Sequence, residues 1–95
     1  MAIAFELEFK GGTTEQYDKV LKKMGLGHGS KGPAGALFHW VEKTPGGFRV
    51  VDVWKTKEVF DKFAHDQIEP YSKEVGLAPP KVTEHQVYNF MSGGG

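Results

Sequence analysis

The segments Leu37-Phe38-His39-Trp40-Val41-Glu42 and Phe48-Arg49-Val50-Val51-Asp52-Val53-Trp54, joined through Thr44-Pro45-Gly46-Gly47, constrain the fold most. Both read as strands, and the proline and glycines between them mark a hairpin turn. They are apolar on both faces yet contain His39 and Asp52. A sheet apolar on both sides needs a cover on each side, and the remaining chain supplies helices for only one. A second copy of the chain is the expected cover for the other side, and the buried polar residues become site candidates.

Upstream, Ile3, Phe5, Leu7 and Phe9 alternate with Ala4, Glu6 and Glu8, the period of a strand, which Gly11-Gly12 ends. Thr13 and Gln16 form a capping box, and Tyr17, Val20, Leu21 and Met24 make one helical stripe that Gly25 stops. From Gly25 to Gly35, five glycines and Pro33 leave no period, which predicts a mobile loop suited to act as a lid. Thr56 is an expected N-cap, with Glu58 in the first turn. Phe60, Phe63, Ala64, Gln67 and Tyr71 mark a second helix, kinked by Pro70 and closed by Gly76. Pro79-Pro80 introduces a last strand from about Lys81 to Phe90.

The order βαββαβ with right-handed crossovers predicts an α+β, ferredoxin-like fold: a four-stranded antiparallel sheet with two helices on one face. Residues 1–91 form the expected single domain, and residues 92–95, Ser92-Gly93-Gly94-Gly95, a flexible C-terminal tail.

With a turn at Thr44–Gly47, Lys43 pairs with Phe48, Glu42 with Arg49, Val41 with Val50, His39 with Asp52 and Leu37 with Trp54. A slip of one residue would turn every side chain over and set Glu42 against an apolar neighbour. One face then carries Leu37, His39, Val41, Val50, Asp52 and Trp54, and the other Ala36, Phe38, Trp40, Val51 and Val53. Burying that second, apolar set in a homodimer, at ~25 cal/mol per Å2, is worth several kcal/mol before association costs.

Composition narrows the function. Twelve basic and twelve acidic side chains cancel and are interspersed, so nucleic acid and anionic membrane are not expected partners. The chain has no cysteine, hence no disulfide, thiolate metal site or cysteine nucleophile, and its apolar start is short and broken by Glu6 and Glu8. A cytoplasmic protein is expected. Gly27-His28-Gly29-Ser30-Lys31-Gly32 fits a dinucleotide-binding string but follows a helix and precedes a strand, the reverse of the context that motif needs. His28, His65 and His85 read as solvated, and the four histidines lack short ligand spacing, so neither a metal nor a cofactor is expected.

The stretch Arg49-Val50-Val51-Asp52-Val53-Trp54-Lys55-Thr56-Lys57-Glu58-Val59-Phe60-Asp61-Lys62-Phe63, with the element order and length, resembles the dimeric α+β barrel proteins, in particular the antibiotic biosynthesis monooxygenase-like group. The resemblance implies two ferredoxin-like protomers pairing their sheets into a barrel, with a cavity between sheet and helices in each. It implies Trp54 as a pocket wall. The chain departs from the pattern at Phe63, where the monooxygenases often carry histidine, and in its first strand, which lacks the asparagine of the haem degraders.

His39 and Asp52 as cross-strand neighbours make a carboxylate–imidazole pair, in which the carboxylate fixes the tautomer and raises the basicity of the ring. They are the candidate catalytic residues, His39 as base and Asp52 as its orienter; the same pair also fits a core hydrogen bond with no catalytic role. Trp54, Leu37, Phe60, Phe63 and Tyr71 are the candidate substrate-binding residues for a small apolar or aromatic ligand, with Tyr17 or Tyr88 supplying a hydroxyl. Two functions stay open: a cofactor-independent monooxygenase or isomerase acting on an aromatic or polyketide-like molecule, and a non-catalytic ligand-binding or stress-related dimeric domain.

Overall fold

A computed structural model describes residues 2–93. Its elements run β1 (Ile3–Lys10), α1 (Thr14–Met24), β2 (Ala36–Thr44), β3 (Gly47–Trp54), α2 (Lys57–Phe63), a π-helical turn (Ala64–Ile68), α3 (Glu69–Glu74) and β4 (Lys81–Gln86). The strands form one antiparallel sheet in the order β2-β3-β1-β4, the ferredoxin-like arrangement expected from the element order.

The alternation in β1 is realised residue by residue: Ile3, Phe5, Leu7 and Phe9 are buried, and the residues between them are less so. They pack with Phe48, Val50 and Trp54 of β3 and with Val20, Phe60 and Leu77 of the helical layer, which therefore covers one face of the sheet. Phe5 stacks on Phe60 with ring centroids 3.8 Å apart, and Phe9 stacks on Phe48 at 4.7 Å. Such contacts between buried rings add to the stabilisation from area alone.

Helix α1 begins and ends as its sequence requires. Thr13 Oγ1 accepts the Gln16 N–H at 3.1 Å, and Gln16 Oε1 accepts the Thr13 N–H at 2.9 Å, so each satisfies a donor the first turn leaves free. Gly25 closes the helix at φ +79°, and the Leu26 N–H returns to the Leu21 carbonyl at 2.9 Å. Gln16 Nε2 also donates to the Val75 carbonyl at 3.0 Å, tying α1 to the end of α3.

The second helical segment differs from a kinked helix. Proline has no N–H and its ring crowds the carbonyl four residues back. The residues before Pro70 are accordingly wound into a π-helical turn, with the Glu69 N–H reaching the Ala64 carbonyl, and α3 starts afresh around the proline. Thr56 caps α2 through Val59 N–H at 3.2 Å. Strand β4 ends at Gln86, short of the expected Phe90, and Tyr88 beyond it is fully exposed. Of the expected tail, Ser92 and Gly93 lie outside any strand or helix, and Gly94 and Gly95 lie outside the described residues.

The hairpin register is as expected from Lys43–Phe48 through His39–Asp52, and it then shifts. Leu37 is the extra residue of a bulge, so Ala36, not Leu37, pairs with Trp54 and joins the helix-facing side. The opposite face carries Phe38 and Trp40, 49 % and 42 % exposed, beside Val51 and Val53. Polar residues flank this patch on the same face: the Arg49 guanidinium bonds Glu8 at 2.7 Å and Glu42 at 3.2 Å, and His85 bonds Glu6 at 2.8 Å. Among the described residues no helix is long and apolar enough to cross a membrane.

The hairpin closes at Gly46, whose φ of +80° is the left-handed angle a type II turn needs after proline. Next to it, Gly47 lies so close to β1 that a Cβ would sit 2.3 Å from the Phe9 carbonyl oxygen. Gly47→Ala is expected to lower stability by about 1–3 kcal/mol, the usual cost of overpacking, read as a fall in the urea midpoint. An unchanged midpoint would contradict this close approach of β3 to β1.

Candidate functional site

β3 is an inner strand, and it holds Asp52 5 % exposed, level with Phe5 of β1 on one side and His39 of β2 on the other. A carboxylate only accepts hydrogen bonds, so the hydrogen-bonded contact between His39 Nδ1 and Asp52 Oδ1 requires the proton on Nδ1. In the neutral imidazole Nε2 is then an acceptor. The Tyr17 hydroxyl, sent across from the first full turn of α1, meets it at 2.6 Å. Tyr17, His39 and Asp52 thus form one chain of hydrogen bonds from helix to central strand.

Tyr17 is half-buried, its ring nearly parallel to the imidazole (12°, centroids 6.0 Å apart) and edge-on to Phe48 at 5.8 Å. Burial pushes the phenol pKa from 10.0 up to about 12, and the negative charges of Asp52 and then Asp18 push in the same direction. A neutral O–H donating to His39 is the form this environment favours.

The chain of hydrogen bonds lines a cavity of about 580 Å3 between sheet, α1 and the glycine-rich loop. Pockets for small molecules run roughly 300–1,000 Å3, mostly apolar with a few placed polar groups, and this one has that character. Leu7, Val20, Met24, Val50 and Phe63 supply apolar wall, and Leu26, His28 and Pro33 of the loop lie along it. The loop is held to α1 by His28 Nε2 and Asp18 Oδ1, 2.6 Å apart.

The expected site residues are partly brought together. His39, Asp52, Leu37, Trp54 and Phe63 line the cavity, Leu37 by way of its bulge; of the two polar residues expected to be buried only Asp52 is, since His39 stands on an edge strand with its side chain 42 % exposed. Phe60 does not: it is 5 % exposed and spent in the core between Phe5 and Trp54. Tyr71 also packs against the core away from the cavity, because the π-helical turn resets the helix face between Phe63 and residue 71. Trp54 is 1 % exposed and its Nε1–H has no hydrogen-bond partner among the described residues. Of the two expected hydroxyls, Tyr17 is in the site and Tyr88 is outside it. That Tyr17 would bond His39 was hidden in the sequence, where it is one member of an apolar stripe. His65 and His28 are mostly exposed, and His85 about half exposed. Among the described residues no three His, Asp or Glu side chains are grouped to hold a metal ion.

Four solved chains match this fold. One is a candidate antibiotic biosynthesis monooxygenase from Deinococcus radiodurans, similar over 100 % of both chains with a TM-score of 0.58 and 15 % sequence identity. No protein-family model and no curated protein matches the sequence. The likeness is one of fold: the chain has the ferredoxin-like α+β architecture of that monooxygenase-like neighbour.

Alkaline titration followed by ultraviolet absorbance tests the site. Of the chain's three tyrosines, Tyr17, identified by its loss in Tyr17→Phe, is expected to titrate near 12, and Asp52→Asn lowers its midpoint by removing a charge that raises it. The folded phenol keeps its proton above the unfolded value of 10.0, so its contribution to stability is intact below pH 10.0 and lost as pH rises toward 12. A Tyr17 midpoint at the ordinary value would contradict the arrangement.

Proposed function

We propose that this is a homodimeric α+β barrel protein that takes a proton from an aromatic or polyketide-like small molecule in its apolar cavity, as a cofactor-independent monooxygenase or isomerase. One observation carries the reading: a carboxylate–imidazole pair opens onto a mostly apolar cavity of ligand size. His39 is the base, Asp52 orients it and balances the imidazolium charge, and Leu37 and Phe63 are walls against which a planar ligand rests, while Trp54, 1 % exposed, backs the cavity without a free face. In an oxygenase the resulting anion reacts with dioxygen as co-substrate; in an isomerase the proton returns at another carbon. The fold shared with a candidate monooxygenase supports this reading.

A second copy pressed on the open sheet face belongs to the same proposal. Phe38, Trp40, Val51 and Val53 form a patch on that face, flanked by the Glu8–Arg49–Glu42 pairs, and contiguous apolar patches of this kind mark association surfaces. A non-catalytic ligand-binding domain is the competing reading, favoured by the fact that both His39 nitrogens already have partners.

Oxygen uptake with a panel of anthrones and quinols separates the two. Turnover of at least one compound is expected, with His39→Ala slowing it about 10²–10⁴-fold, the usual contribution of a general base. Binding of these compounds with no uptake and no isomerised product would establish the non-catalytic reading. Light scattering tests the assembly: the chain should be a dimer at micromolar concentration and Trp40→Glu a monomer, whereas a monomeric parent protein would remove the dimer from the proposal.

A further inference from the structure

His39 has no nitrogen left for a ligand. Its Nδ1–H is given to Asp52, and its Nε2 accepts the Tyr17 O–H at 2.6 Å. A phenol oxygen has one donor and two acceptor lone pairs, so Tyr17 Oη still has acceptor capacity after donating to His39. Tyr17 also lines the cavity. A hydroxyl entering this cavity therefore finds an acceptor on Tyr17 before it finds one on His39.

Tyr17 is not a loose cap that a ligand lifts away. Its ring is held parallel to the imidazole and edge-on to Phe48, itself 1 % exposed, and its backbone sits one turn inside the capped start of α1. Rotating it out would forfeit these contacts and strip Nε2 of its donor.

We propose that Tyr17 is the catalytic residue that meets the substrate, and that the substrate is a weakly acidic phenol or enol whose proton passes through the Tyr17 hydroxyl to His39. This rests on the proton-abstraction reading above. The substrate O–H bond breaks and its electron pair stays on the substrate oxygen. A new O–H bond forms at Tyr17 Oη while the original one breaks, and the released proton forms the Nε2–H bond of His39. The products are a substrate anion, a neutral Tyr17 and an imidazolium beside the Asp52 carboxylate; nothing is oxidised or reduced. A hydroxyl acid suits this relay better than a carbon acid, because an O–H donor hydrogen-bonds to the phenol oxygen before transfer and a C–H does so poorly. The relay also needs a phenol that stays protonated at rest, which burial and the Asp52 charge provide.

The test uses 4-nitrophenol, whose neutral and ionised forms absorb at different wavelengths, at a pH where the free probe is mainly neutral. The parent protein is expected to bind it and display the phenolate band. Tyr17→Phe and His39→Ala should both bind the probe and lower the bound phenolate-to-phenol ratio at least about tenfold, one unit in the bound probe's pKa. A Tyr17→Phe protein that ionises the probe as fully as the parent would overturn the relay, leaving His39 to act directly and the proton-abstraction reading intact. A parent protein that shows no phenolate band defeats that reading together with the relay. If Tyr17→Phe does not fold, 3-fluorotyrosine at position 17 takes its place: its more acidic hydroxyl should raise the bound phenolate fraction, and an unchanged fraction would overturn the relay.

Discussion

Asp52 is a carboxylate set at 5 % exposure on an inner strand of a small sheet. Leaving such a charge unpaired costs several kcal/mol, so the protein must deliver a hydrogen-bond donor to it. The donor is His39 Nδ1–H, brought from the neighbouring edge strand by direct cross-strand pairing. That requirement fixes the hairpin. A one-residue slip would carry His39 to the opposite face and strand the carboxylate, and it would also part Arg49 from Glu42 on the far side. Each face of the hairpin thus holds its own polar lock on the same register.

Supplying Asp52 with a donor leaves the imidazole with one acceptor nitrogen directed at the helical layer. What meets it is decided by α1, whose start is set by Thr13 and Gln16 and whose end is set by Gly25. Those caps fix the helix phase, and the phase puts Tyr17 over His39 with Val20 and Leu21 buried behind it. The resulting chain of hydrogen bonds runs from solvent-accessible cavity to buried carboxylate. A proton taken at the tyrosine end is balanced by charge already present at the aspartate end. Structure and proposed chemistry therefore share one arrangement, with the scaffold supplying the orientation of the three groups.

Much of this was legible in the sequence because its signals were local. The alternation of Ile3, Phe5, Leu7 and Phe9, the Thr13–Gln16 box and the Pro45-Gly46 turn each specify structure within a few residues, and the turn propagates register outward as far as Asp52 and His39. Leu37 departs from that register, because a bulge adds a residue that no short-range pattern announces. Phe60 and Tyr71 fit a regular helical face. The face was not regular, because Pro70 forces a π-helical turn between Phe63 and Tyr71, and because Phe5 claims Phe60 for the core. The Tyr17–His39 bond was out of reach for a different reason. It joins a helix to a strand twenty-two residues away, and depends on how the layers pack.

Nitrogen-15 NMR of the His39 imidazole reads out whether its Nδ1 proton is given to Asp52 while Tyr17 donates to the other nitrogen. The neutral ring should be the Nδ1–H tautomer, with a strongly deshielded Nδ1 proton that disappears in Asp52→Asn and an unprotonated Nε2 whose shift moves in Tyr17→Phe. A ring found as the Nε2–H tautomer, or one indifferent to both substitutions, would contradict this hydrogen-bond chain.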